Sequence, residues 1–284
     1  MYAMIRAELL RTAVSDPREA DSEARTLSAM ALRCDVSKMI GSLWREDAAE
    51  ESVAVAQKAI ARRVAGEPLQ YITGEAEFYG RDFVVAEGAL IPRHDTECVV
   101  ESALRYAGTL RGGVKIIDIG TGSGIIAITL ACELGPRCEV LAVDVSDAAL
   151  SLASVNASKH RAGGIKFIRS DLFENLVPAP VHGPFDIVVS NPPYISGEEY
   201  SCLAPEVKCE PELALIAGER GYEFYRRILS GIRPFIKSDS RVFFEIGHDM
   251  FDEVAAIAAE KGFTVEEKIM DLQNRTRGVR LWAS

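Results

Sequence analysis

Positive charge is in short supply in this chain. Its 32 Lys and Arg stand against 42 Asp and Glu, a formal net charge of −10. Proteins that grip duplex nucleic acid usually carry a basic face, because phosphate contacts supply most non-specific affinity. The deficit speaks against a direct DNA substrate and fits a neutral or basic protein partner better. Long hydrophobic runs are missing too, and no stretch approaches the length of a membrane span, so no membrane association is expected. Met1-Tyr2-Ala3-Met4-Ile5-Arg6 lacks a basic start followed by an apolar segment, which argues against a secretory leader. The six cysteines (34, 98, 132, 138, 202 and 209) form no Cys-x-x-Cys pair and have no histidine cluster nearby. That scatter fits reduced thiols in a cytoplasmic protein, and no metal is expected. No Ser/His/Asp or Cys/His arrangement is apparent, and His94, His160, His182 and His248 read as surface or supporting residues. Internal repeats and low-complexity stretches are absent.

What is present suits a globular protein: 284 residues, 48% apolar and 26% charged, enough for one large domain or two smaller ones. Residues 1–73 read as a small helical bundle. Apolar residues recur there at helical spacing (Leu27, Met30, Ala31, then Val53, Ala56, Ile60, Val64). Asp16-Pro17 has the form of a helix cap followed by Pro at the first helical position, and Ser37 is a second candidate cap. Residues 74–92 read as a hairpin connector. From 93 to 284, strand and helix patterns alternate, with strands expected at 114–119, 139–144, 165–168, 185–190, 241–246, 264–269 and 278–282. Such alternation predicts an α/β fold: a doubly wound, mostly parallel seven-stranded sheet with helices on both faces.

Two strand ends carry chemistry. The first strand closes on Asp118-Ile119-Gly120-Thr121-Gly122-Ser123-Gly124, where alternate glycines let the backbone turn tightly and approach a ligand closely. Asp144 ends the next strand, where a carboxylate can accept both hydroxyls of a ribose, unless it merely caps the following helix. Asp171 and Leu172 follow the third strand and offer one polar and one apolar group to an adenine. Two cofactors fit this set, a nicotinamide dinucleotide and S-adenosylmethionine. The dinucleotide fingerprint is G-x-G-x-x-G/A, with a pyrophosphate on the helix N-terminus. The spacing here is G-x-G-x-G, which favours S-adenosylmethionine, a ligand with no phosphate.

The fourth strand ends on Asn191-Pro192-Pro193-Tyr194. Two prolines stiffen the backbone and remove its N–H donors, so the Asn191 side-chain oxygen and the Pro192 carbonyl form a rim of acceptors. Such a rim suits a planar NH2 group. An amide nitrogen is a poor nucleophile, because its lone pair is delocalised into the carbonyl. Two fixed acceptors favour the pyramidal, electron-rich nitrogen of a methyl-transfer transition state. Tyr194 would wall in the planar group.

At this point the chain resembles the bacterial peptide chain release factor N5-glutamine methyltransferases over nearly its whole length. Besides the glycine loop and Asn191–Tyr194, the matching segments are Pro68–Gly80 (PLQYITGEAEFYG), Leu90–Glu97 (LIPRHDTE), Glu206-Val207 with Glu210-Pro211, Phe224–Ile228 and Phe244–Gly247. The resemblance implies an S-adenosylmethionine-dependent methyltransferase fold and, as substrate, the glutamine of the Gly-Gly-Gln loop of release factors. Asn191 and Pro192 would hold its amide, with Pro193 and Tyr194 shaping the slot. Gly120, Thr121, Gly122, Ser123, Gly124, Asp144, Asp171, Leu172 and Asn191 would meet the cofactor, and the helical segment 1–73 would help seat the release factor. A cytoplasmic monomer is expected. The chain departs from the family pattern at His94, usually Pro, at Met250, where many relatives have Gln, and loosely over 271–278. Arg93, Asp95 and Glu97 either cap the following helix or join the site. Glu245 is expected to orient a loop, and Phe78 and Tyr79 to serve as interface core. The alternative reading is an N6-adenine methyltransferase of DNA or RNA that uses the same clamp. A non-catalytic binding module is a third.

Overall fold

The computed structural model describes residues 1–36 and 49–283, so the cap expected at Ser37 lies outside the described residues. The chain divides into two units. One comprises Met1–Glu75 with Ala204–Cys209, and the other Ala76–Leu203 with Glu210–Ser284. In the first, helices run over Tyr2–Thr12, Pro17–Ala31, Glu50–Val64 and Leu69–Thr73. Their apolar stripes bury Ile5, Leu9, Leu27, Ala56, Ile60 and Ile72 together. Asp16 caps the second helix by accepting the Arg18 N–H at 2.6 Å, with Pro17 at the first helical position. A fork of Arg63 on Glu23, with N···O distances of 2.9, 2.9 and 3.2 Å, is buried in this unit. Glu206 adds a second carboxylate partner 2.8 Å from Arg63. A buried cation is tolerated when its donors are saturated in this way.

The second unit begins with the hairpin of β1 (Glu75–Phe78) and β2 (Arg81–Val84), in which Phe78 and Phe83 are fully buried. They join the core of this unit with Val99, Val100 and Ile116. The main sheet contains β3 (Val114–Ile119), β4 (Cys138–Asp144), β5 (Ile165–Arg169), β6 (Phe185–Ser190), β9 (Ile236–Glu245), β10 (Phe263–Met270) and β11 (Thr276–Ala283). Its order is β10-β11-β9-β6-β3-β4-β5. The ladders β3/β4, β3/β6, β4/β5 and β6/β9 are parallel, while β11 runs antiparallel to both of its neighbours. Ile116-Ile117 and Val188-Val189 are fully buried, as expected of central parallel strands covered on both faces. Each such side chain contributes roughly 1.5–3 kcal/mol of transfer free energy.

The seven strands fall where the periodicity puts them, with β9 starting five residues earlier than expected. A further pair, β7 (Ile195–Ser196) and β8 (Ile216–Gly218), follows the Asn-Pro-Pro-Tyr segment. The chain proceeds from β3 to β4 and β5 on one side, then returns to lay β6 on the other side of β3. That reversal opens a crevice at the carboxyl ends of β3 and β6, the place where open α/β sheets bind ligands.

Candidate active site

Ser190, the last residue of β6, is buried and donates its hydroxyl to the Ile119 carbonyl at 2.6 Å, tying the ends of β6 and β3 together. A cavity opens above this tie. Its lining includes Gly120, Thr121, Gly122 and Ser123, then Asp144, Asp171 and Leu172, then Asn191, Pro192 and Pro193. These residues from four strand ends therefore meet in one space. Gly124 and Tyr194, also named from the sequence, are not in the lining.

The glycines divide by role. Gly120 (φ +72°) and Gly122 (φ +56°) have left-handed backbones, and a Cβ at either would meet nothing within 4 Å. They leave an open cradle on the cavity side. Gly124 (φ +84°) starts the helix Ile125–Leu134, and a Cβ there would lie 2.8 Å from Ile128 Cδ1 and 3.0 Å from Ala153 Cβ. That glycine is required by packing.

Asp118 lies fully buried beneath the loop. Its Oδ2 accepts from Thr121 Oγ1 at 2.6 Å and from the Ala127 N–H at 3.2 Å. Burial pushes its carboxyl up to about 7; the Thr121 and Ala127 hydrogen bonds oppose this, and the charge of Asp144 adds to it. Asp144 braces the loop from β4, with Oδ2 accepting from Gly122 N–H and Oδ1 from Ser146 N–H, each at 2.9 Å. It does not cap the next helix, since Ser146 does so by accepting the Ala149 N–H. Asn156 supplies a support not anticipated from the sequence. Fully buried, it accepts from Val84 N–H and donates to the carbonyls of Val84 and Ser123.

After β5, Leu172 sits at φ +50°, a conformation that costs a non-glycine residue about 1–2 kcal/mol and is found where surrounding structure enforces it. Asp171 pairs with Arg227 at 2.8 Å, and Arg227 also lines the cavity. Much of the remaining wall is apolar, with Ala89, Leu90, Ile91 and Phe224 among its members. Glu210, buried, holds the 91–93 segment by accepting the Ile91 N–H at 2.8 Å and pairing with Arg93.

The Asn191 side of the cavity is organised by two buried residues. Asn191 Nδ2 donates to Thr96 Oγ1 at 3.4 Å, and Thr96 Oγ1 donates to Glu245 Oε2 at 2.5 Å. Thr96 and Glu245 are fully or almost fully buried, and Thr96 also lines the cavity. Burial pushes the Glu245 carboxyl up to about 7. The Thr96 bond and the charges of Arg277 and Arg93 oppose the rise, while Asp95 adds to it. Tyr194 packs against the core beside β6, and burial drives its phenol well above its ordinary value. Gly221 lets it sit there, since a Cβ on Gly221 would stand 2.6 Å from the Tyr194 carbonyl oxygen. Met250, the departure noted in the sequence, is buried in the same core and lies 3.4 Å from that Cβ position.

None of the four histidines lines the cavity. Among the described residues, one group with ligand atoms close enough for an ion is Glu77, His94 and Glu97, also outside the lining. Asp95 pairs with Arg277 at 3.0 Å, and Glu97 accepts the Tyr79 N–H at 2.9 Å, so both carboxylates brace the fold.

Comparison with known proteins bears on this arrangement. Residues 7–74 match the family model of the PrmC N-terminal domain, and residues 110–232 match a methyltransferase domain. A release factor glutamine methyltransferase of Koribacter versatilis is 40% identical over 82% of this chain and 81% of its own length. Its counterpart in Geobacter sulfurreducens is 41% identical over 75% of this chain and 72% of its own. In fold, the structure is similar to a methyltransferase from Pyrococcus furiosus (TM-score 0.51, 16% identity, covering 80% of this chain and 99% of that one).

Proposed function

The chain belongs to the release factor glutamine methyltransferases, and we propose that it transfers a methyl group from S-adenosylmethionine to the side-chain amide nitrogen of the glutamine in the Gly-Gly-Gln loop of translation release factors. The observation that carries this reading is the single cavity shared by the glycine cradle, Asp144, Asn191 and Pro192. The open Cβ positions of Gly120 and Gly122 suit a ligand that packs against backbone, and Asp144, whose oxygens already order the loop, would receive the ribose hydroxyls. Leu172 and Asp171 would meet the adenine. When bound, S-adenosylmethionine supplies an electrophilic methyl group on a sulfonium sulfur.

The chain's own residues do the rest. Asn191 Oδ1 and the Pro192 carbonyl accept the two N–H groups of the substrate amide and hold its nitrogen in one orientation. As that nitrogen gains positive charge its protons become stronger donors, so both hydrogen bonds tighten towards the transition state, and the nitrogen releases one of the two protons to water once it has taken the methyl group. Pro193 narrows the slot, and half-buried Tyr194, packed against the core, stiffens the backbone that carries the clamp. The apolar wall excludes water, which strengthens each polar contact. Residues 1–73, which match the PrmC N-terminal domain over 7–74, would take part in seating the release factor. Free cysteines throughout the described residues suit a cytoplasmic setting. Among these residues, no helix is long and apolar enough to cross a membrane.

The test is incubation with methyl-labelled donor and a release factor. Label is expected in the factor and should be abolished by Gln→Ala in its Gly-Gly-Gln loop. Undiminished labelling of that variant, or transfer to nucleic acid instead, would overturn the assignment.

A further inference from the structure

An asparagine clamp works only if its amide faces the right way. Turned round, Asn191 would point an NH2 at the substrate NH2, and two donors would confront each other. The side chain has the same shape in both orientations, so something must choose. Among the described residues, the bonded chain behind it runs through Thr96 to Glu245. A carboxylate has acceptors alone. Ionised Glu245 therefore takes the Thr96 hydroxyl proton, which leaves Thr96 Oγ1 as an acceptor towards Asn191.

We propose that Glu245 and Thr96 are positioning residues that set the direction of the Asn191 amide: ionised Glu245 orients the Thr96 hydroxyl, Thr96 takes the Asn191 NH2, and Oδ1 is left facing the substrate. The inference rests on the functional reading above. When Glu245 is protonated it donates to Thr96, whose own proton is then free for Asn191 Oδ1. The chain of bonds survives with every donor reversed, and the amide turns over. The clamp therefore has a working state and an inverted one, separated by a single proton.

The charged and titratable groups around Glu245 are few. Arg93, Asp95 and Cys98 lie on the segment that carries Thr96, Arg277 on β11, and Tyr194 after β6. Tyr225, on the helix Glu223–Gly231, donates its hydroxyl to the Glu245 backbone carbonyl at 2.9 Å. Arg277 is held by Asp95 and Asp271, each at 3.0 Å, and reaches Glu245 only as a distant charge. Burial thus sets the carboxyl's titration to about 7, and the Thr96 hydroxyl is the strongest opposing influence. Because the ionised form is the working one, turnover should fall as pH drops through that value.

The experiment compares wild type with Thr96→Val, Thr96→Ser and Glu245→Gln, using a purified release factor and S-adenosylmethionine. Thr96→Val should lower kcat roughly tenfold, the worth of one hydrogen bond. The KM for the release factor and the calorimetric affinity for S-adenosylhomocysteine should hold. Thr96→Ser should restore turnover, and Glu245→Gln should remove the pH step seen in wild type. A readout independent of activity is the 13C titration of the Glu245 carboxyl. Losing the Thr96 hydroxyl should move its midpoint upward, since that bond stabilises the ionised form. An unchanged kcat or midpoint in Thr96→Val, no rescue by Ser, or a pH step that persists in Glu245→Gln would each overturn the proposal. Failure of the wild type to label any release factor would instead overturn the functional reading, and the carboxyl titration would still decide the positioning role.

Discussion

The two sides of the cavity each rest on a buried carboxyl raised to about 7, yet the two are wired differently. Asp118 binds its own loop, reaching Thr121 three residues on and Ala127 nine residues on. Glu245 binds Thr96 from 149 residues away, and Thr96 is bonded by Asn191 from 95 residues away. The Asp118 brace is thus a local device, formed within one strand–loop–helix unit, with Asp144 and Asn156 adding support to the same loop from further along the chain. The acceptor side is a tertiary device, ordered only when three distant segments converge. A local device can be damaged without disturbing the other side, whereas the tertiary one should transmit damage to turnover.

That contrast can be broken most directly at Asn191. Asn191→Ala should cut kcat by about 10²-fold or more through the loss of one preorganised acceptor. Affinity for S-adenosylhomocysteine, measured by calorimetry, should stay near the wild-type value. A loss of cofactor affinity with kcat intact would mean the two sides are not separate.

On the cofactor side, Asp144→Ala should behave in the opposite way. Its carboxylate orders Gly122 and Ser146, and would take the ribose hydroxyls. Losing it should weaken S-adenosylhomocysteine binding about 10- to 100-fold, the scale of charge-assisted hydrogen bonds. Turnover at saturating donor should drop far less, as initial rates across donor concentration would reveal.

The smallest effect separates two glycines of one loop. Gly124→Ala meets Ile128 and Ala153 and should destabilise the fold by about 1–3 kcal/mol, visible as a lower thermal midpoint. Gly122→Ala meets open space and should cost only about 1 kcal/mol of backbone strain, while weakening cofactor binding. Equal stability losses at the two positions would erase the distinction between cradle and packing glycine.

The same local-versus-tertiary difference explains how much could be read from the sequence. Gly120, Gly122 and Asp144 were legible because spacing along one strand–loop–helix–strand unit carries the information. The seven strands were legible because apolar alternation reports burial. Asn191 and Pro192 announced themselves by an unusual composition at a strand end. Thr96 did not, because a threonine before a helix looks like any cap; only its partners, far along the chain, give it meaning. Asn156 hid for the same reason, as a polar residue in a helix whose partners at Val84 and Ser123 lie 72 and 33 positions away. Glu245 could be suspected of orienting a loop, but its link to the clamp through Thr96 is visible only in three dimensions. Gly124 looked like its neighbours because the pattern cannot say which glycine faces a ligand and which faces a side chain.

The position of β11 carries a consequence for how the protein is made. It follows β10 in the chain, yet in the sheet it lies between β9 and β10. Until β11 has been synthesised, β10 has no strand to pair with and β9 keeps one edge open. A chain lacking β11 would therefore present unpaired, partly apolar strand edges, a state prone to capture by other chains. In the finished sheet this one strand satisfies two edges at once.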